Sequence, residues 1–409
     1  MKNLPEGWNK VDISSVVWFQ EGPGVRNTQF TNEGVKLLNV RNIVEGKLNL
    51  DNTTIHISNN EAYGKYNHFL VDENDLIIAS SGITVEKLEK KVAFVKKEHL
   101  PLCMNTSTIR FKPIDDSIID MKYFSFFLKS NYFKHQVRLH ITGSAQLNFG
   151  PSHLNKMKTI LPPLEVQKQI AEILDKADEL RQKKKQASEK LDDFLKSTFL
   201  NMFGDPVTNP MGWDQLKFGE VGTLARGKSK HRPRNAPELL GGDYPLIQTG
   251  DVSNAGIFIK NYYQTYSELG LKQSKMWKNG TLCITIAANI AETGVLNFDA
   301  CFPDSVVGFH SNEKSNVHYV QFWLMFLQKI LEANAPQSAQ KNINLAILND
   351  LNIPTPPIEL QNKFAQIVEQ VEAQQTKNEI ATQKLNDLFN SLLKKTFKGE
   401  LEFSKELVI

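Results

Sequence analysis

The chain has 409 residues, 41% of them apolar and 23% charged, with a formal net charge of +3. That length allows two or three domains with cores of their own, and that charge excludes a polycation, so any nucleic-acid surface must be a local concentration of charge. No stretch approaches the roughly 20 apolar residues of a membrane-spanning helix. Residues 1–8 hold no apolar leader. Cys103, Cys283 and Cys301 form no CxxC pair and no disulfide framework, which fits a reducing, cytoplasmic compartment.

In chain order, short β-branched runs broken by Gly, Asn, Asp and Pro predict twisted sheet at residues 75–79, 92–95 and 108–111, then an aromatic-rich helix at 121–133. From Leu164 to about Met202 the pattern is helical. Pro163 suits the first helical position, Glu165 the positive end of the dipole, and Gly204-Asp205-Pro206 makes a stop. Ile170, Ile173, Ala177, Leu180, Lys184, Ala187, Leu191, Phe194 and Thr198 alternate at spacings of three and four, a heptad seam. Sheet signals return at 281–286 and 305–309, with a helix at 317–331. A second seam follows: Phe364, Ile367, Val371, Gln374, Asn378, Ala381, Leu385, Leu388 and Leu392. Each long helix would span on the order of 55 Å. Neither can bury so narrow a seam alone, which predicts an antiparallel coiled coil with Lys184, Gln374 and Asn378 fixing register at some loss of stability. The expected fold class is α+β: two domains of twisted mixed sheet plus helices, separated by two long paired helices. The boundaries read as 1–160, 161–204, 205–354 and 355–409.

The halves repeat. Ala145-Gln146-Leu147-Asn148 falls on Ala339-Gln340-Lys341-Asn342 at an offset of 194, and Pro162-Pro163-Leu164-Glu165 falls on Pro356-Pro357-Ile358-Glu359 without a gap. Upstream the match is looser. Pro5-Glu6-Gly7-Trp8 answers Pro210-Met211-Gly212-Trp213, Val40-Arg41-Asn42-Ile43 answers Gln248-Thr249-Gly250-Asp251, and residues 75–80 answer 280–285. Cys103 and Phe111 answer Cys301 and Phe309. Such a layout fixes a scaffold while two variable domains diverge.

One catalytic motif occurs. Residues 222–229, from Gly222 to Gly227-Lys228-Ser229, fit the phosphate-loop pattern, which works only where a strand leads into a helix. Pro233 and Pro237 forbid that helix, so the segment reads as a basic loop. The nine histidines have no zinc spacing, and no nucleophile elbow, methyltransferase Asn-Pro-Pro-aromatic element or glycine-rich cofactor turn is present.

The duplicated Pro-Pro-Leu/Ile-Glu-x-Gln before a long helix, behind Ala-Gln-x-Asn, resembles the specificity subunit of type I restriction–modification enzymes. Gly241-Gly242-Asp243-Tyr244-Pro245 and Gln248-Thr249-Gly250-Asp251-Val252 share in that resemblance. It implies two target-recognition domains, each reading half of a bipartite asymmetric DNA site, with the helix pair setting the spacer and docking two methyltransferase subunits. Restriction/translocase subunits would then join. It also implies that the chain is not an enzyme and holds no cofactor or metal, S-adenosylmethionine, ATP and Mg²⁺ belonging to partners. The rival is a coiled-coil assembly scaffold without DNA readout.

Such a reader needs cations for phosphates and forked donors for base edges. The phosphate candidates are Arg226, Lys228, Lys230, Arg232 and Arg234 in the second domain, five cations in nine residues without an acid, and Arg26, Arg41, Lys65, Arg110 and Arg138 in the first. The base-reading candidates are Gln146, Gln248, Asn289 and Gln340. The pairs Phe126-Phe127 and Phe322-Trp323 read as core.

Overall fold

A computed structural model describes residues 4–51, 53–141, 148–287, 290–334 and 343–401. The chain divides into two compact units, Met1–Lys183 with Ala381–Ile409, and Lys184–Ile380.

The same strand plan builds both. In the first unit the main sheet runs in the order Val17–Glu21, Thr108–Pro113, Leu76–Ala79, Val92–Phe94. In the second the order is Gly222–Arg226, Val306–Ser311, Leu282–Thr285, Thr293–Leu296, with Phe258–Ile259 added at the far edge. Phe111 stands opposite Leu76, and Phe309 opposite Leu282. A smaller sheet accompanies each, built on a parallel pair: Val35–Leu38 with Leu102–Met104, and Leu240–Leu246 with Ala300–Cys301. The mixed α+β architecture is the one expected.

Register refines the internal alignment. Val35–Leu38 ends at Asn39, whose backbone N–H donates to Asn42 Oδ1 at 2.9 Å. Leu240–Leu246 is followed by Gln248, whose N–H donates to Asp251 Oδ2 at 2.7 Å. Residues 39–42 therefore answer 248–251, one residue earlier than side-chain similarity suggested, and residues 75–80 answer 281–286. The helix expected at 121–133 is two, Met121–Lys129 and Asn131–His140. Ser130 serves both, its Oγ donating to Phe127 O at 2.6 Å and accepting from Phe133 N at 3.2 Å. The counterpart Val317–Asn334 is unbroken. Phe126, Phe127, Phe322 and Trp323 are buried, as read.

The long helices are Leu164–Phe203 and Ile358–Thr396. A fully buried glutamine fastens the start of each. Gln167 Nε2 donates to Pro162 O (2.8 Å) and Ile118 O (2.9 Å), while its Oε1 accepts from Asp120 N (2.9 Å). Gln361 repeats this with Pro356 O (2.8 Å), Lys314 O (3.2 Å) and Asn316 N (2.8 Å). A buried amide with both ends engaged costs little to bury and much to break.

Within each unit segments of the two helices pack together, and the partners run in opposite senses. In the first, Arg181 Nε donates to Asn386 Oδ1 at 2.9 Å and its guanidinium lies 4.3 Å from the Phe389 ring. In the second, Gln375 donates to Asp192 at 2.6 Å, and Phe203 meets Phe364 at 5.6 Å between centroids. Eleven residues forward on one helix are eleven back on the other, as antiparallel pairing requires.

The seam is half right as read. Every seventh residue holds: Ile170, Ala177, Phe364, Val371 and Asn378 are buried, and Leu191, Leu385 and Leu392 half-buried. The intervening position lies four residues on, not three. Leu174, Leu195, Val368 and Phe389 fill it, while Leu180 (53% exposed), Phe194 (49%) and Leu388 (51%) face out. Ile173 and Ile367 flank the seam half-buried. On a helix of 3.6 residues per turn both spacings lie on one stripe. Polar Arg181 and Gln375 at the true positions concealed the choice.

Candidate nucleic-acid interface

The phosphate candidates of the second unit, and Arg26 of the first, lie at the end of each main sheet's edge strand or just beyond it. Val17–Glu21 hands over to Gly22, whose N–H donates to Thr108 O at 3.0 Å. Gly222–Arg226 hands over to Gly227, whose N–H donates to Val306 O at 2.8 Å. A Cβ at Gly22 would stand 2.1 Å from Asn105 O, and one at Gly227 2.3 Å from Pro303 O, so only glycine lets the chain pass. The two positions differ by 205, the offset that relates Trp8 to Trp213.

Beyond these glycines the chemistry diverges. In the second unit the chain from Lys228 to Ala236 has no regular structure, yet it is pinned at many points. Lys228 N donates to Phe302 O (3.1 Å), and Ser274 Oγ donates to Lys228 O (2.8 Å). Gln273 Oε1 accepts from Lys230 N (2.6 Å) and His231 N (3.1 Å). Three arginines gather on Asp304: Arg226 Nε donates to its carbonyl at 3.0 Å, Arg234 pairs with one carboxylate oxygen, and Arg232 Nη2 lies 3.7 Å from the other. Arg232 Nη1 also donates to Ser229 O and His231 O at 2.7 and 2.8 Å. Lys228 and Lys230 are exposed, with no carboxylate partner among the described residues. The phosphate-loop motif thus falls on an edge strand running into an irregular basic loop, where no helix N-terminus faces a phosphate.

The first unit is plainer. Arg26 and Arg41 are exposed without a side-chain partner among the described residues. Lys65 is exposed over the Tyr66 ring at 4.9 Å, and Arg138 pairs with Glu86 at 3.0 Å. Glu21, at the strand position that Arg226 holds in the other unit, has its carboxyl raised above the usual range by burial, against the lowering pull of His153. Arg110 is a correction. Its side chain is 6% exposed and donates to Asp75 (3.2 Å), Leu70 O (2.7 Å), His68 O (2.8 Å) and Gln20 (2.7 Å). A guanidinium so engaged is a structural tie between the strands and has no reach toward a phosphate.

Among the base-reading candidates, Gln248 is exposed and its Nε2 donates to Gln264 Oε1 at 3.0 Å. Gln146, Asn289 and Gln340 lie outside the described residues. Sequence reasoning missed Asp304, Gln273 and Gln264, and no local pattern marks them, because the first lies 70 residues from its arginine partner Arg234. Burial raises the thiol pKa of all three cysteines, Cys103 to about 12. Among the described residues no group of three His, Cys, Asp or Glu side chains is placed to hold a metal, and no helix is long and apolar enough to cross a membrane.

Two copies of one sheet plan, differing in the loops at corresponding strand ends and each tied to a long helix, define a duplicated recognition scaffold. The type I restriction modification DNA specificity domain matches residues 5–191 and again 210–388, and the chain belongs to that family. It is 22% identical to the EcoBI specificity subunit of Escherichia coli over 437 residues, covering 98% of this chain and 87% of that one. To the MjaVIII specificity subunit of Methanocaldococcus jannaschii it is 27% identical over 190 residues, covering 46% of this chain and 44% of that one. The fold is that of the type I restriction-modification S subunit from M. genitalium, with a TM-score of 0.55, 16% identity and coverage of 99% and 98%.

Proposed function

We propose that each unit reads one half of a bipartite, asymmetric DNA target, that the long helices set the spacer, and that two methyltransferase subunits and then restriction subunits dock on this chain in the cytoplasm. S-adenosylmethionine, ATP and Mg²⁺ are assigned to those partners. The observation that carries the proposal is the divergence after Gly22 and Gly227: the backbone bond is kept while the loops change from one arginine to four cations. A scaffold without DNA readout has no reason to vary its strand ends in this way. Apolar side chains left uncovered on the helices, Leu180 and Leu388 in one unit and Phe194 and Ile380 in the other, offer partner subunits a surface.

Methylome sequencing of a host with and without the gene tests the proposal. Loss of one bipartite motif is expected, and a heptad added to each long helix lengthens its spacer while leaving both half-sites unaltered. Altered half-sites would refute the division between readers and rods. No lost motif, together with no gel shift against random duplex, would favour the scaffold.

A further inference from the structure

Asp304 is the one carboxylate that the described residues bring to the basic loop: its carboxylate engages Arg232 and Arg234, two of the loop's four cations, and its backbone carbonyl accepts from Arg226 at the strand end. It sits between Ala300–Cys301 and Val306–Ser311, in the turn that Gly227 passes over. At the corresponding place of the first unit, counted from the matched Cys103 and Cys301, stands neutral Thr106. That unit has a single arginine, Arg26, in its loop. A carboxylate therefore occurs where the arginines crowd, and a neutral residue where they do not.

A guanidinium carries five donors in a planar fork and is as suited to a phosphate as to a carboxylate. Arg232 and Arg234 spend only part of their forks on Asp304 and remain about half exposed, at 55% and 44%. We propose that Asp304 is an internal stand-in for a DNA phosphate: it holds the arginines of the second recognition unit gathered, and its charge opposes their binding to phosphates of arbitrary sequence. Asp304 acts through the arginines and is a positioning residue. Its cost is affinity for random duplex, and its benefit is a larger ratio of specific to non-specific binding.

The proposal rests on the DNA-reading function above, and the experiment separates the two. Full-length chain is titrated with random-sequence duplex across a salt series. Asp304→Asn keeps an acceptor for the arginines while removing the charge, which adds one effective phosphate-facing cation. Each such cation steepens log K against log salt by about 0.9, which is about eight-fold tighter binding at 0.1 M salt. Asp304→Glu restores the parent slope, which a merely structural role would not give. Lys228→Gln with Lys230→Gln is the control for the loop, and flattens the slope by nearly two units. If that control flattens the slope while Asp304→Asn, folded by circular dichroism, binds random duplex no more tightly, the role of Asp304 is refuted alone. If the lysine control leaves the slope unchanged, the basic loop is not on DNA and both fall.

Discussion

Leu195 and Phe194 are neighbours in sequence that the structure puts on opposite footings. Leu195 is 1% exposed and belongs to the same cluster as Phe199, Phe203, Phe364 and Val368, whereas Phe194 is half exposed. Replacing a buried leucine by alanine costs about 2–5 kcal/mol, the spread reflecting how far the cavity collapses. The five aromatic rings around Phe199, with centroids at 4.9–6.0 Å, leave little freedom to collapse here. Phe194→Ala should change stability by no more than about 0.5 kcal/mol, because lost surface contact is offset by alanine's better helix propensity. A gap of at least about 1.5 kcal/mol corresponds to a little more than about ten-fold in the opening equilibrium of the helix. Hydrogen exchange of peptides covering residues 184–203, read for both variants in the full chain, measures it locally and avoids assuming that two units unfold as one. Should Phe194→Ala open the helix as much as Leu195→Ala, the seam would run through the position three residues on, and the packing described above would be wrong.

Arg110→Gln leaves buried Asp75 with Lys112 at 3.4 Å as its remaining charge partner and should cost up to about 3 kcal/mol in a thermal melt. Arg26→Gln, at an exposed position, should leave the melt unchanged and lower only duplex affinity. Burial holds the His318 imidazole below its ordinary pKa, more than the Gln321 hydrogen bond and Glu369 and Glu372 raise it, and His310 shifts the same way by burial and Lys275. The folded state thus disfavours protonation. Stability is fully present above the unfolded value near 6.5 and is lost as pH falls from there through the lowered folded values. Melting of the second unit should drop between about pH 7 and 5, and His318→Gln should shallow that drop without abolishing it. An unchanged slope in His318→Gln would exclude the histidine as its source.

Much of this architecture was legible in the residues because it is periodic or repeated. A helix of forty residues announces itself by spacing, and a duplication by a constant offset. The phase within the stripe was not legible, since Leu180, Ala187 and Phe194 imitate a seam on the wrong flank while Arg181 and Ser188 occupy the right one. Arg110 looked like any cation. Its burial follows from partners 35 to 90 residues away, which only the strand order Val17–Glu21, Thr108–Pro113, Leu76–Ala79 brings to its side. The arginine loop was visible as charge, but its counter-ion was hidden by the same kind of distance.

Gly399 lies so close to Pro5 that a methyl group at 399 would stand 2.6 Å from the proline ring. Both residues belong to the first unit, whose two segments, before residue 184 and after residue 380, thus meet at their outer ends. Opening the chain in the turn around Gly204–Gly212 and joining residue 399 to residue 5 through a few linker residues would leave the strand pairings and both buried glutamine ties intact, so the two halves can exchange their order along the gene.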